Sequence, residues 1–80
     1  MSDQISARLE QVFRAVFSLP NDADVRQTRQ ISCRKWDSLG HVLLMSAIES
    51  EFNTQLDMAQ TVNLTSFESV ELFLSETLVE

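Results

Sequence analysis

The sequence predicts an all-α fold, a small four-helix bundle with three main helices and a short third helix. Its 80 residues include one Gly and one Pro, which supply few of the turns that a many-stranded β fold needs. Hydrophobic residues make up 44% of the chain, and many recur at the helical spacings of three and four. A chain this short buries only about 60% of its unfolded surface, so no deep active site is expected. We expect one domain over residues 1–80.

The first helix is predicted to end just before Pro20. Its buried stripe consists of Ile5, Leu9, Val12, Phe13, Val16, Phe17 and Leu19. Residues 21–35 are polar and lack a clear period, which predicts a long ordered loop with Val25 and Ile31 inserted into the core. Loops longer than about 12 residues without secondary structure are commonly functional or disordered.

The second helix is predicted to begin at Asp37 or Ser38, which are good N-cap residue types, and to end at Phe52 before Asn53. One face is predicted to join the core and contains Leu44, Met45, Ile48 and Phe52, with Val42 at its edge. The opposite face is apolar or small where a solvated helix normally carries charge, and it contains Leu39, Leu43, Ser46, Ala47 and Ser50. We expect Leu39 and Leu43 to be exposed.

The remaining elements are a short helical turn around residues 58–62 and a last helix. Thr65 and Glu68 have the spacing of a capping box, which is predicted to open the last helix. The inward face of this helix is predicted to hold Phe67, Val70, Phe73, Leu74 and Leu78.

Charge and cysteine content restrict the function classes. All six Lys and Arg lie between Arg8 and Lys35, whereas residues 36–80 contain eight Asp or Glu and no basic residue. An anionic surface repels phosphates, so we expect a basic protein partner rather than nucleic acid, although the acidic residues equally serve solubility. Cys33 is the single cysteine, which excludes an internal disulfide and fits a reduced, cytoplasmic setting. No stretch has the roughly 20 apolar residues of a membrane helix, so membrane insertion is not expected.

The chemistry of the chain is concentrated in two neighbouring motifs. They are Trp36-Asp37-Ser38-Leu39-Gly40-His41-Val42 and Ile48-Glu49-Ser50-Glu51-Phe52. Both motifs resemble those of the acyl and peptidyl carrier proteins. The order of elements is also similar to that family: one long helix, a long loop, an Asp-Ser-Leu helix, a short element and a last helix. The resemblance covers nearly the whole chain.

This resemblance implies that Ser38 is the attachment site of 4′-phosphopantetheine, transferred from coenzyme A by a phosphopantetheinyl transferase. Asp37 is then expected to position the magnesium and phosphate of that transfer, and Leu39 to lie at the docking surface beside the arm. A helix start favours such a phosphodiester through its free N–H groups and its dipole. We expect a free-standing, monomeric carrier without catalytic activity, which carries acyl or aminoacyl groups as thioesters in fatty-acid, polyketide, lipid or specialised biosynthesis.

The partner enzymes implied are an acyl-loading ligase or acyltransferase and synthases or transferases. Their predicted contact residues on the second helix are Leu39, Leu43, Ser46, Ala47, Glu49 and Ser50. The carriers of fatty-acid synthesis resemble one another in having a run of carboxylates along this side of the helix. This sequence departs from that pattern, since it has Leu43 and Ser50 there. Contacts here are therefore predicted to be more apolar and less salt-dependent than a purely ionic interface.

Two alternatives remain from the residues alone. A helical interaction module with a carrier-like fold but no prosthetic group would use Leu39 and Leu43 as its contact patch. A serine hydrolase would pair Ser38 with His41, three residues later on the helix, although the sequence offers no third orienting group.

Overall fold

A computed structural model describes residues 2–20 and 22–78, with side chains described from residue 4 onwards. It contains four α-helices, α1 (Ser2–Phe17), α2 (Ser38–Phe52), α3 (Met58–Thr61) and α4 (Phe67–Thr77). Two short 3-10 helices, Val25–Gln27 and Gln30–Ser32, lie in the loop between α1 and α2. The described residues form no strand, only an isolated antiparallel bridge between Arg29 and Ser66. The prediction of a small all-α bundle is confirmed.

Helix α1 ends two residues earlier than Pro20 alone would require. Ser18 adopts the left-handed conformation with φ 53°, and the N–H of Leu19 donates to the carbonyl of Arg14 at 3.1 Å. This pair of features is a Schellman-type helix end, which satisfies a carbonyl of the last turn. The Arg14 guanidinium then donates to the carbonyl of Pro20 at 2.5 Å and fixes the direction in which the chain leaves α1.

The core lies between α1, α2 and α4 and is built around an aromatic cluster. Trp36 stacks on Phe17 with ring centroids 5.4 Å apart, and Phe13 meets it edge-on at 5.4 Å. Phe67 of α4 meets Phe13 at 5.0 Å. Buried aromatic pairs of this kind add about 0.5–1.5 kcal/mol each beyond the area that they bury. Because Trp36 is fully buried, the cluster anchors the chain two residues before Ser38.

The long loop is ordered as predicted, but only one of the two residues predicted to lie in the core is buried. Val25 is buried as predicted, whereas Ile31 is 93% exposed. Main-chain bonds hold the loop on both sides of Arg29, from the N–H of Gln30 to the carbonyl of Thr65 and from the N–H of Phe67 to the carbonyl of Thr28. These bonds fix the chain just before the second 3-10 turn, whose outer side carries Ile31.

The start of α4 lies one residue later than the predicted capping box. Ser66, not Thr65, is the N-cap, and its hydroxyl accepts the N–H of Ser69 at 3.1 Å. The hydroxyl of Ser69 accepts the N–H of Ser66 in return, so serine takes the place that the prediction gave to Glu68. The predicted inward residues of α4 are buried except for Phe73 and Leu78, which are half-buried.

Candidate functional site

Helix α2 begins where the sequence predicted, with Asp37 as N-cap and Ser38 as its first residue. The Asp37 carboxylate accepts the N–H of Gly40 at 2.8 Å, and its main-chain carbonyl accepts the N–H of His41 at 2.8 Å. The N–H groups of Ser38 and Leu39 have no acceptor among the described residues. Since Ser38 is exposed, its hydroxyl lies on the surface beside two unsatisfied donors.

Gly40 allows the chain before α2 to approach the helix closely. A Cβ at this position would overlap the carbonyl oxygen of Lys35, and it would lie 3.0 Å from the carbonyl carbon and 3.3 Å from Oδ1 of Asp37. Its φ is negative, so the requirement is for space and not for an unusual backbone conformation. The absence of a side chain at Gly40 therefore keeps the turn before Ser38 packed against α2.

His41 is not arranged as a partner of Ser38. Its Nδ1 accepts the indole N–H of Trp36 at 3.0 Å, and its Nε2 lies 2.9 Å from the carbonyl oxygen of Thr61 in α3. The planes of the imidazole and the Trp36 ring differ by only 14°, which suits an in-plane N–H···N bond between the two rings. Both ring nitrogens are thus engaged away from Ser38, and no nucleophile–base pair is formed here.

The outward face of α2 carries apolar or small residues in place of charged ones, as the sequence predicted. Leu39 and Leu43 are 67% and 52% exposed, and Ser46 and Ser50 are exposed beside them. Ala47 is half-buried and packs against the core, so it belongs to the edge of this surface. We call Leu39, Leu43, Ser46 and Ser50 the outer face of α2.

The carboxylates at the end of α2 have structural partners. Glu51 forms an ion pair with Arg8 of α1 at 2.9 Å, and the same guanidinium lies over the Phe52 ring, 4.6 Å from its centroid. The Glu49 carboxylate accepts the N–H of Leu56 at 2.7 Å. Glu49 is one of the partner contacts predicted from the sequence, and through this bond to Leu56 it also holds the segment that leads to α3.

A surface groove lies away from the predicted site. Its volume is about 520 Å³, and it lies between the long loop and the start of α4. The residues lining it are Arg29, Gln30, Ile31, Thr65, Ser66 and Glu68. None of the site residues predicted from the sequence borders this groove.

Comparisons with known proteins returned no match: no family model, no curated protein and no solved structure matches the chain. In residues 2–20 and 22–78, no helix has the length and apolar character needed to cross a membrane.

Proposed function

We propose that this protein is an acyl carrier protein, which holds an acyl or aminoacyl group as a thioester on a 4′-phosphopantetheine arm attached to Ser38. The observation that carries the proposal is the position of Ser38, an exposed serine that is the first residue of a 15-residue helix. The N-cap Asp37 before it and the exposed Leu39 after it complete the motif that resembles carrier proteins.

The surroundings of Ser38 fit a phosphodiester. The N–H groups of Ser38 and Leu39, for which the described part of the chain offers no acceptor, favour a negatively charged group together with the positive end of the α2 dipole. Arg34 and Lys35, both exposed, add positive charge just before the helix. On attachment, the Ser38 oxygen becomes an ester oxygen of the phosphate while the nucleotide half of coenzyme A leaves. The arm supplies the thiol that carries the acyl group, and the protein itself presents the arm.

The outer face of α2 is the proposed contact surface for the phosphopantetheinyl transferase and for the enzymes that load and use the carrier. Leu39 and Leu43 supply apolar contact area on the side of Ser38. The Glu49 and Glu51 carboxylates are engaged with Leu56 and Arg8, so they contribute less to ionic recognition than free side chains would. We therefore propose association that weakens little with added salt.

Intact-mass spectrometry tests the carrier role directly. Purified protein is incubated with coenzyme A, magnesium and a broad-specificity phosphopantetheinyl transferase, and the expected result is a mass gain of one phosphopantetheine. Ser38→Ala is expected to gain nothing. Ser75→Ala, which removes a hydroxyl from α4 and leaves the outer face of α2 intact, is the control and is expected to be modified like the wild type. An unmodified wild type, alongside a known carrier that is modified in the same reaction, would refute the proposal.

The exposure of Leu39 and Leu43 favours a second candidate, a helical interaction module that lacks the arm. In that case Ser38→Ala retains full function in the cell, whereas Leu43→Asp abolishes partner binding. A carrier requires both residues, so loss of function in Ser38→Ala distinguishes the two candidates. Under both proposals the protein has no catalytic activity of its own, and ester or thioester turnover that depends on His41 would contradict them.

A further inference from the structure

We infer that His41 is a positioning residue that holds α3 against the first turn of α2, and that it does so only as a neutral imidazole protonated at Nε2. The ring lies in a chain of contacts that starts in the core and ends in α3. Trp36 donates its indole N–H to Nδ1, and Nε2 faces the carbonyl oxygen of Thr61. The inference does not depend on whether Ser38 carries an arm.

The partners of the ring determine where its proton lies. An indole N–H can only donate, so Nδ1 of His41 must be the acceptor. A carbonyl oxygen can only accept, so Nε2 must carry the hydrogen that is donated to Thr61. Both bonds form together in one neutral tautomer. The alternative tautomer loses both bonds, because it places hydrogen against hydrogen at Trp36 and a lone pair against the carbonyl.

Helix α3 needs such support. It has four residues, which is far below the length at which a helix is stable alone. The closely packed helix pairs are α1 with α2 and α1 with α4, and α3 belongs to neither. Met58 and Val62 are exposed, whereas Thr61 is buried. The segment is held by the half-buried Leu56 and Leu64 at its two ends, by the Glu49 carboxylate on the N–H of Leu56, and by His41.

Protonation of the His41 ring breaks its hydrogen bond with Trp36. A hydrogen on Nδ1 would face the indole N–H of Trp36, so the imidazolium cannot keep that bond. Helix α2 carries Asp37 at its start and Glu49 and Glu51 near its end, and α3 has Asp57 at its start. Each of these carboxylates already has a partner: a backbone N–H for Asp37, Glu49 and Asp57, and the Arg8 guanidinium for Glu51. On the side of α1, the indole of Trp36 packs on the uncharged Phe17 ring. Relief of this contact requires the ring to turn away from the indole, and the turn moves Nε2 away from the Thr61 carbonyl.

The wild-type protein provides the first test. Nitrogen-15 NMR of the His41 ring is expected to show an unprotonated Nδ1 and a protonated Nε2 in the neutral form of the ring. As acid is added, amide hydrogen exchange should become about tenfold faster at Thr61, Val62 and Leu64, after correction for the intrinsic pH dependence of exchange. A tenfold change corresponds to the usual contribution of one hydrogen bond. Val70 in α4 should show no such change. A ring protonated at Nδ1 in the neutral form, or equal changes in α3 and α4, would overturn the inference.

Two variants separate the ring's hydrogen bonds from its bulk. His41→Phe keeps a flat ring near Trp36 but removes both bonds, so exchange in α3 should already be about tenfold faster at neutral pH and should no longer respond to acid. Leu72→Ala, which truncates an exposed side chain of α4, is the control, with wild-type exchange rates expected in α3. Wild-type exchange in His41→Phe, or a retained acid response, would contradict the role assigned to His41. If His41→Phe does not fold, the wild-type titration decides.

Discussion

Replacement of Gly40 by alanine is expected to reverse the usual effect of a glycine-to-alanine change in a helix. Gly40 has a negative φ, so helix propensity alone predicts that alanine stabilises the fold by about 1 kcal/mol. However, the new Cβ would overlap the Lys35 carbonyl oxygen and would come within 3.3 Å of Oδ1 of Asp37. The Lys35 carbonyl is backbone and cannot rotate away, so the turn before α2 must move.

The magnitude follows from two costs and one gain. Overpacking of a tight contact costs about 1–3 kcal/mol. The displacement also disturbs the bond between Asp37 and the N–H of Gly40, and an N-cap contributes about 1 kcal/mol. This second cost is offset by the gain in propensity, so we expect the free energy of unfolding to fall by about 1–3 kcal/mol. In a domain of this size, each kcal/mol lowers Tm by about 4–8 °C.

Urea unfolding followed by circular dichroism measures this change as a shift of the midpoint at constant slope. Ser46→Ala is the control, because it introduces the same side chain at an exposed position within the same helix. It is expected to leave stability unchanged or to raise it by a few tenths of a kcal/mol. A Gly40→Ala variant as stable as the wild type would refute the reasoning about close approach.

Five further substitutions, used in three tests, address other features. Because Ser66 is the N-cap of α4, Ser66→Ala should lower the free energy of unfolding by about 1 kcal/mol in the same urea assay, whereas Thr65→Ala should be nearly neutral. The reverse order would support the capping box at Thr65 that the sequence predicted. Leu44→Ala should cost about 2–5 kcal/mol, but Leu43→Ala less than about 0.5 kcal/mol, and equal losses would contradict the assigned faces of α2. Asp37→Asn keeps an N-cap oxygen, so stability should change by less than about 0.5 kcal/mol, while phosphopantetheine attachment should slow in a mass-spectrometric time course. Equal attachment rates would limit Asp37 to a capping role.

The helices were predictable because periodic burial and local end signals act within a few residues. The start of α2 follows from Asp37 as N-cap, and its end from Asn53, which adopts the left-handed conformation with φ 52°. The same period separates Leu44 on the core face from Leu43 on the outer face. These features depend on neighbouring residues alone, so one sequence was enough to predict them.

The features that were missed depend on contacts between distant residues. Ile31 is hydrophobic and was placed in the core, but backbone bonds to the start of α4 turn it outward. The bond from His41 to the Thr61 carbonyl involves a backbone atom, which leaves no signature in the residue types. Glu49 looked like a free docking charge because the sequence does not show that the N–H of Leu56 lies beside it.

The main-chain bonds between residues 28–30 and 65–67 have a consequence for how the chain is completed during synthesis. The loop that leads to Ser38 takes two of its hydrogen bonds from the segment that opens the last helix. A nascent chain that ends before residue 65 lacks both partners, although α1 and the whole of α2 have already been made. Closing contacts so distant in sequence costs chain entropy, which is offset when Phe67, Val70 and Leu74 of α4 pack into the core. The surroundings of Ser38 are therefore completed by residues that the ribosome adds almost thirty positions later, and the proposed attachment site takes its final shape only after residues 65–67 have been made.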